Sequence, residues 1–227
     1  MRRTRGKVWR AGFARSSSLV SAMGTVLGNQ PKAETANNLD LTLRKTAGAT
    51  TFSASVFHNR INDYIHARTL DAYEDFQLIE YSQRDAQFTG IEGAIRQQLN
   101  PLLGVTVFGD YVRARFKAGD GDRDLLRVPA HRLGLKLDAR WNAWQGEAEF
   151  YRVGSQNDVA EFERSTPGYN MMNLSLSYNP RFNGQPWQVY VKASNLGNEL
   201  AYAHTSFIKN AAPLEGRNLT LGLRIAF

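Results

Sequence analysis

Asn218-Leu219-Thr220-Leu221-Gly222-Leu223-Arg224-Ile225-Ala226-Phe227 carries an apolar residue at every odd position and a polar or small one at every even position. A period of two puts Leu219, Leu221, Leu223, Ile225 and Phe227 on one face of an extended strand. A helix would scatter them round its circumference. The same alternation recurs upstream. Leu39, Leu41 and Leu43 alternate with polar neighbours, Phe52, Ala54 and Val56 share a face, and so do Val105, Val107, Gly109 and Tyr111. Leu133, Leu135, Leu137, Ala139 and Trp141 form another row. With further stretches at 84–99 and 144–153, around Leu174 and around Val191, nine strands are predicted between residue 38 and Phe227.

The connections sharpen this pattern. Short links rich in turn formers fall at Ala47-Gly48, Asn100-Pro101, Asn142-Ala143 and Asn179-Pro180. Long ones are expected at 65–83, 117–126, 154–167 and 196–216, so short and long links alternate. A closed antiparallel sheet crossing a bilayer produces this, with tight turns on one rim and long loops on the other. Several strands reach the length that a tilted spanning strand needs, beyond the usual soluble strand. Trp141 and Trp144 flank one short turn, and Tyr178, Phe182 and Trp187 surround another, as in an interfacial aromatic girdle. The expected fold is all-β, an antiparallel meander belonging to a transmembrane β-barrel. A soluble β-sandwich binding module, with the same aromatics packed in its core, is the alternative.

Composition narrows the classes. Hydrophobic residues make up 42% and charged residues 22%, which suits a folded chain. The mean hydropathy is -0.43, and no apolar run is long enough for a spanning helix. Strands that alternate lipid-facing and polar residues average out in such a measure. There are no cysteines, which excludes disulfides, thiolate metal sites and a cysteine nucleophile. The net charge is +7, but Arg2, Arg3, Arg5, Lys7, Arg10 and Arg15 precede residue 31 without a single acid, leaving the body near neutral. A basic groove interleaved with stacking aromatics is not visible in that body, so no nucleic-acid partner is expected. Residues 1–30 read as an irregular or misread basic leader, since Arg10 and Arg15 interrupt the apolar core of a signal peptide. Residues 31–227 read as the barrel segment.

Five segments carry a family resemblance. Gly28-Asn29-Gln30-Pro31-Lys32-Ala33-Glu34, running on to Asn38-Leu39-Asp40-Leu41, resembles a "GN…P-E…N-x-D-L" strand start in TonB-dependent outer-membrane receptors. Phe88-Thr89-Gly90-Ile91-Glu92 is similar to the "G-x-E" strand of that family, and Pro129-Ala130-His131-Arg132 to its "P-x-H-R" element. Asn195-Leu196-Gly197-Asn198-Glu199-Leu200-Ala201-Tyr202 resembles the penultimate "N-L-x-N" element. Pro213-Leu214-Glu215-Gly216-Arg217 leads into the last strand as the family's "P-G-R" does. The segments keep the family's order over residues 28–227.

The resemblance implies the C-terminal portion of a barrel that takes up a scarce ligand, with a metal or a metal chelate such as a siderophore or zinc expected. It implies as partners outer-membrane lipid and lipopolysaccharide, the barrel assembly machinery, and a TonB-type coupling system acting through a plug. Leu223, Ile225 and Phe227 would form the assembly signal. The family's coupling box, plug and early strands are not legible here, so the chain is expected to be a portion of a receptor. A truncated, non-transporting outer-membrane remnant is the other outcome. No cofactor is expected.

His66 and His204 fall in or beside expected long loops, with Asp71, Glu74 and Asp75 near His66. Imidazole with carboxylate suits zinc or another transition metal, although no His-x₃-His spacing occurs. Asp120-Gly121-Asp122-Arg123-Asp124 does not make a calcium loop, because Leu125 and His131 occupy the required Gly and Glu positions. No nucleophile elbow, H-E-x-x-H or phosphate loop is present, so no enzyme is expected.

Overall fold

The computed structural model describes residues 8–18, 32–73, 76–117, 123–182 and 184–225. Eleven strands form one antiparallel meander: β1 (Val8–Ser18), β2 (Glu34–Lys45), β3 (Thr50–Tyr73), β4 (Phe76–Gln98), β5 (Leu103–Phe116), β6 (Arg132–Trp141), β7 (Trp144–Val153), β8 (Tyr169–Tyr178), β9 (Arg181–Phe182), β10 (Gln185–Ser194) and β11 (Asn218–Ile225). Each pairs with its neighbour in sequence, except that β10 lies beside β8 and the two-residue β9 only touches β10. The nine expected strands correspond to β2 through β8, β10 and β11. Among the described residues no second sheet packs against this one, as a sandwich would require.

Two differences from the sequence reading have physical causes. First, Val8–Ser18, inside the stretch set apart as a basic leader, form β1, with Trp9, Ala11 and Phe13 in register with Leu43, Leu41 and Leu39. The arginines at 10 and 15 spoil an apolar helix core, but they leave room for a period of two. Second, 65–83 is not a long loop. β3 and β4 continue pairing up to Tyr73 and Phe76. Their register shifts between Ile61 and Tyr64 and again between Thr69 and Asp71, and Asp63 adopts φ +53°. A bulge adds a residue and throws the alternation out of phase, which hides the strand from any test of strict period two.

Register aligns the faces across the whole sheet. One row runs Phe52, Ile95, Val107, Leu135, Phe150, Met172. Another runs Val105, Leu137, Ala148, Leu174, Ala193, Leu219. Many of these large side chains stay open: Leu133 is 63% exposed, and Leu219 and Leu221 are each 73% exposed. A folded water-soluble sheet would bury such a surface, worth roughly 25 cal/mol per Å².

The opposite face is polar and internally paired. Arg96 holds Asp138 at 2.7 Å and Arg132 holds Asp110 at 2.8 Å. Lys136 stands 3.3 Å from Glu147 and 3.7 Å from Glu149. Aromatic rings on this face lie over glycines of the next strand. A Cβ on Gly134 would meet the Phe108 ring at 2.3 Å, and one on Gly222 would meet Tyr190 at 2.1 Å. Glycine there lets an aromatic lie flat across the pleat. Near the ends of β3, β4 and β5 farthest from the short turns, Leu125 and Val128 of the loop 117–131 pack on Ala86, Ala114 and Phe116, with Tyr64 and Phe88 beside them. This small core pins that loop to the wall.

Candidate functional site

The long loops gather at one rim, and polar contacts fix how they sit. The loop 195–217 starts from Asn195, which is 2% exposed. Its side-chain amide donates to the carbonyls of Glu199 (2.9 Å) and Glu215 (3.0 Å), and its Oδ1 accepts from the Glu199 N–H (2.8 Å). Asn198 Oδ1 accepts from the Arg217 N–H at 3.0 Å. Asn195 and Asn198 have φ +49° and +52°, a left-handed conformation that asparagine tolerates better than most residues. The "N-L-x-N" and "P-x-x-G-R" segments are therefore two halves of one junction that returns the chain to β11.

A second cluster ties three loops together. Glu163, in the loop 154–168, has a side chain only 3% exposed. Its Oε1 lies 2.6 Å from Lys209 Nζ and 3.2 Å from His204 Nε2, both in the loop 195–217. The same oxygen accepts from the Arg127 N–H of the loop 117–131 at 2.9 Å, and Oε2 accepts from the Ala160 N–H at 3.2 Å. Thr166 Oγ1 meets His204 Nδ1 at 3.0 Å. Gln156 adds a bond to the Val128 carbonyl. Burial alone would push the Glu163 carboxyl up. The hydrogen bonds from His204, Lys209 and the two backbone N–H groups outweigh it and hold the group at about 2. Burial pulls Lys209 below the ordinary lysine value, although Glu163 beside it works the other way. The 2.6 Å contact to a carboxylate held ionised makes this an ion pair. Beside it, the Arg127 guanidinium covers the largely exposed Phe207 ring at 4.9 Å.

The candidate metal residues are not brought together as a site. His66 and Asp71 stand on β3 and not on a loop. The His66 ring lies 4.4 Å from Phe116, with Nε2 3.2 Å from Ser82 Oγ, and Asp71 is exposed. Both ring nitrogens of His204 face protein partners, so an ion would have to displace Thr166 and Glu163. Glu74 and Asp75 lie outside the described residues. Among the described residues no three His, Asp or Glu side chains converge as a metal ion requires. Glu163 and Lys209 were missed in the sequence. Nothing in Ala160-Glu161-Phe162-Glu163-Arg164 separates buried Glu163 from Glu161, whose side chain is 58% exposed.

Of the proposed assembly signal, Leu223 pairs with Val189 and is 58% exposed, and Ile225 pairs with Trp187. Phe227 lies outside the described residues.

With this geometry in place, comparison with known proteins identifies the class. The family model "TonB dependent receptor-like, beta-barrel" matches residues 6–196. The chain belongs to that family, which is one of outer-membrane receptors and transporters. Among solved structures, it is similar to the copper transporter OprC (TM-score 0.81, 16% identity), covering 94% of this chain and 36% of that one. It is also similar to the FrpB iron transporter from Neisseria meningitidis in its F3-3 variant (TM-score 0.75, 16% identity, 98% and 37%). A third is the pyoverdine outer membrane receptor FpvA from Pseudomonas aeruginosa PAO1 (TM-score 0.69, 15% identity, 96% and 34%). At these identities the likeness is one of fold. The chain spans about a third of the length of these structures.

Proposed function

We propose that this chain builds wall and external loops of an outer-membrane receptor for a scarce ligand, a metal ion or metal chelate. The observation that carries it is the unbroken set of exposed apolar rows facing away from a charge-paired face. Exposed leucine suits hydrocarbon, and paired charge suits a lumen. The long loops then lie outside the cell, and Trp141, Trp144 and Tyr178 mark the periplasmic interface, where the Trp144 and Tyr178 rings pack 4.6 Å apart. Its partners on this reading are a TonB-type coupling system, which membership of the family supports, and the barrel assembly machinery. Residues 31–227, together with β1 ahead of them, act as the barrel segment, and Leu223, Ile225 and Phe227 act as the mark that the assembly machinery reads.

The test is fractionation of the full chain behind an outer-membrane signal peptide. Carbonate-resistant recovery with the outer membrane supports the reading, whereas a soluble, monodisperse periplasmic product refutes it. Phe227→Ala should lower the recovered amount, and unchanged levels would remove that residue's role. Ligand class is tested by growth under copper or iron limitation. A requirement for the chain supports metal uptake, and indifference to both metals counts against it.

A further inference from the structure

β3 and β4 run on past their neighbours. Pairing of β3 with β2 ends at Asn62 and Thr35, and pairing of β4 with β5 ends at Ala86 and Phe116. From Tyr64 onward the two strands form a ribbon with no further strand on either edge among the described residues. Its root is held, because the Tyr64 and His66 rings lie nearly parallel at 6.5 Å and His66 packs 4.4 Å from Phe116. Above that root the register slips between Thr69 and Asp71. A lone two-stranded ribbon is marginally stable in water, and a bulge is where it bends. One face of the ribbon carries the pairs Tyr64–Arg84, His66–Ser82 and Arg68–Glu80, and then, past the bulge, Asp71–Leu78. Phe116 lies on the polar side of the sheet, so this face turns toward that side. Arg68 reaches Glu161 of the loop 154–168 at 3.9 Å, with both side chains more than half exposed. That loop joins β7 to β8, four strands from β3, on the order of 20 Å away along the sheet. An ion pair across such a span requires ribbon and loop to lean toward each other over the polar face. Apolar side chains stand uncovered on both sides of it: Leu78 on the ribbon is 61% exposed, and Phe162 and Phe207 on the loops are 46% and 70% exposed.

We propose that the end of this ribbon, beyond Thr69, is an autoinhibitory lid that folds down so that Leu78 seats on Phe162 and Phe207, with Arg68 and Glu161 mooring it at the bulge. Three features select the chain's own lid as the occupant of that apolar patch. The two faces already meet through the ion pair between them, since Arg68 stands just below the bulge and Glu161 directly precedes Phe162. The receiving side is rigid. Glu163 and Lys209, 3% and 6% exposed, lock its loops together, and Phe162 is held at φ +62°, a conformation that survives only where the surroundings fix it. The moving side is soft, for the reasons of edge and bulge given above. Seating Leu78 takes apolar surface out of water, a drive that needs no ligand. The mooring pair is wet, so salt screens it and loosens the lid. Closed, the lid bridges the β3–β4 and β7–β8 ends of the sheet and shuts that part of the polar face from the long-loop side.

The chain has no cysteine, so disulfide trapping reads the closed state directly. The full chain carrying Leu78→Cys with Phe207→Cys would be refolded into phosphatidylcholine bilayers and oxidised mildly without any added ligand. The matched control is Ile79→Cys with Phe207→Cys, because Ile79 pairs with Thr69 and points to the other side of the ribbon. The Leu78 pair should cross-link about tenfold faster than the control or more, since a disulfide forms only when the two Cα atoms come within about 7 Å. Arg68→Gln, Phe162→Ser and molar salt should each slow it severalfold. The substituted side chains are exposed, and an unshifted mobility difference between heated and unheated samples shows that the sheet is intact. Equal rates for the two cysteine pairs overturn the proposal, as does a Leu78 rate indifferent to both Arg68→Gln and Phe162→Ser. Either result leaves the membrane reading standing, whereas failure of the chain to insert into the bilayer refutes that reading.

Discussion

Asn195 and Glu215, twenty positions apart, are joined by a single hydrogen bond from the asparagine side-chain amide to the glutamate carbonyl oxygen at 3.0 Å. That bond closes the base of the last long loop, and a second from the same amide to Glu199 locks its other side. Asn195→Ala removes both donors from the carbonyls of Glu199 and Glu215, strips the Glu199 N–H of its acceptor and places alanine at φ +49°. The expected cost is about 2–3 kcal/mol, from unsatisfied backbone groups and left-handed strain. A urea titration of the chain in detergent micelles checks it. A loss under about 0.5 kcal/mol would mean that the loop base is held elsewhere.

Stability should fall in acid through Glu163. Its folded value of about 2 lies below the ordinary carboxyl value of 4.5, so the charged form is favoured by folding. The contribution is complete above the ordinary value and drains away as pH drops from about 4.5 toward about 2, at a total near 3 kcal/mol. Glu163→Gln should flatten that part of the stability–pH curve and lower stability at neutral pH. Lys209 is then left buried without its counter-charge. Hydrogen exchange should show 201–214 loosening while Leu125 and Val128 keep the loop 117–131 in place. An unchanged acid limb in the variant would contradict the assignment.

Lys136 makes the opposite case. It serves Glu147 and Glu149 on the polar face, with 32% of its side chain exposed. Pairs so wet contribute about 0–1 kcal/mol. Lys136→Met should therefore lower stability by less than about 1 kcal/mol, and the difference should vanish in high salt. A loss several times larger would place this face out of contact with water.

The ring of Tyr190 occupies the space a side chain on Gly222 would need, with 2.1 Å left for a Cβ. Gly222→Val must push that ring off the pleat between β10 and β11, at about 1–3 kcal/mol. Gly197 has nothing within 4 Å of its Cβ position, so Gly197→Ala serves as the matched control and should be close to neutral. Thermal transitions of the two variants in micelles decide it, and equal midpoints would contradict the close approach.

The sheet was legible wherever period two kept its phase. Leu133 through Trp141 and Leu219 through Ile225 run uninterrupted, and both are strands with the expected faces. Legibility failed where phase was lost, as at the bulges after Ile61 and Thr69, or where charge interrupts the apolar run, as at Arg10 and Arg15 in β1. The motifs were visible as strings, but their meaning was not, because the bond from Asn195 to Glu215 spans a loop. Glu163 and Lys209 were invisible for the same reason. Burial that comes from the meeting of three loops leaves no trace in any one of them.

The central claim is that alternate residues of the strands face hydrocarbon and water. The chain has no cysteine, so single cysteines at Leu174, Ser175, Leu176 and Ser177 can each carry a nitroxide without background. In a bilayer, labels at 174 and 176 should collide chiefly with lipid-soluble oxygen, and those at 175 and 177 with a water-soluble nickel chelate. A flat profile, or labels at both leucines shielded from oxygen and nickel alike, would show that this face is packed against protein and that the sheet is not a membrane wall.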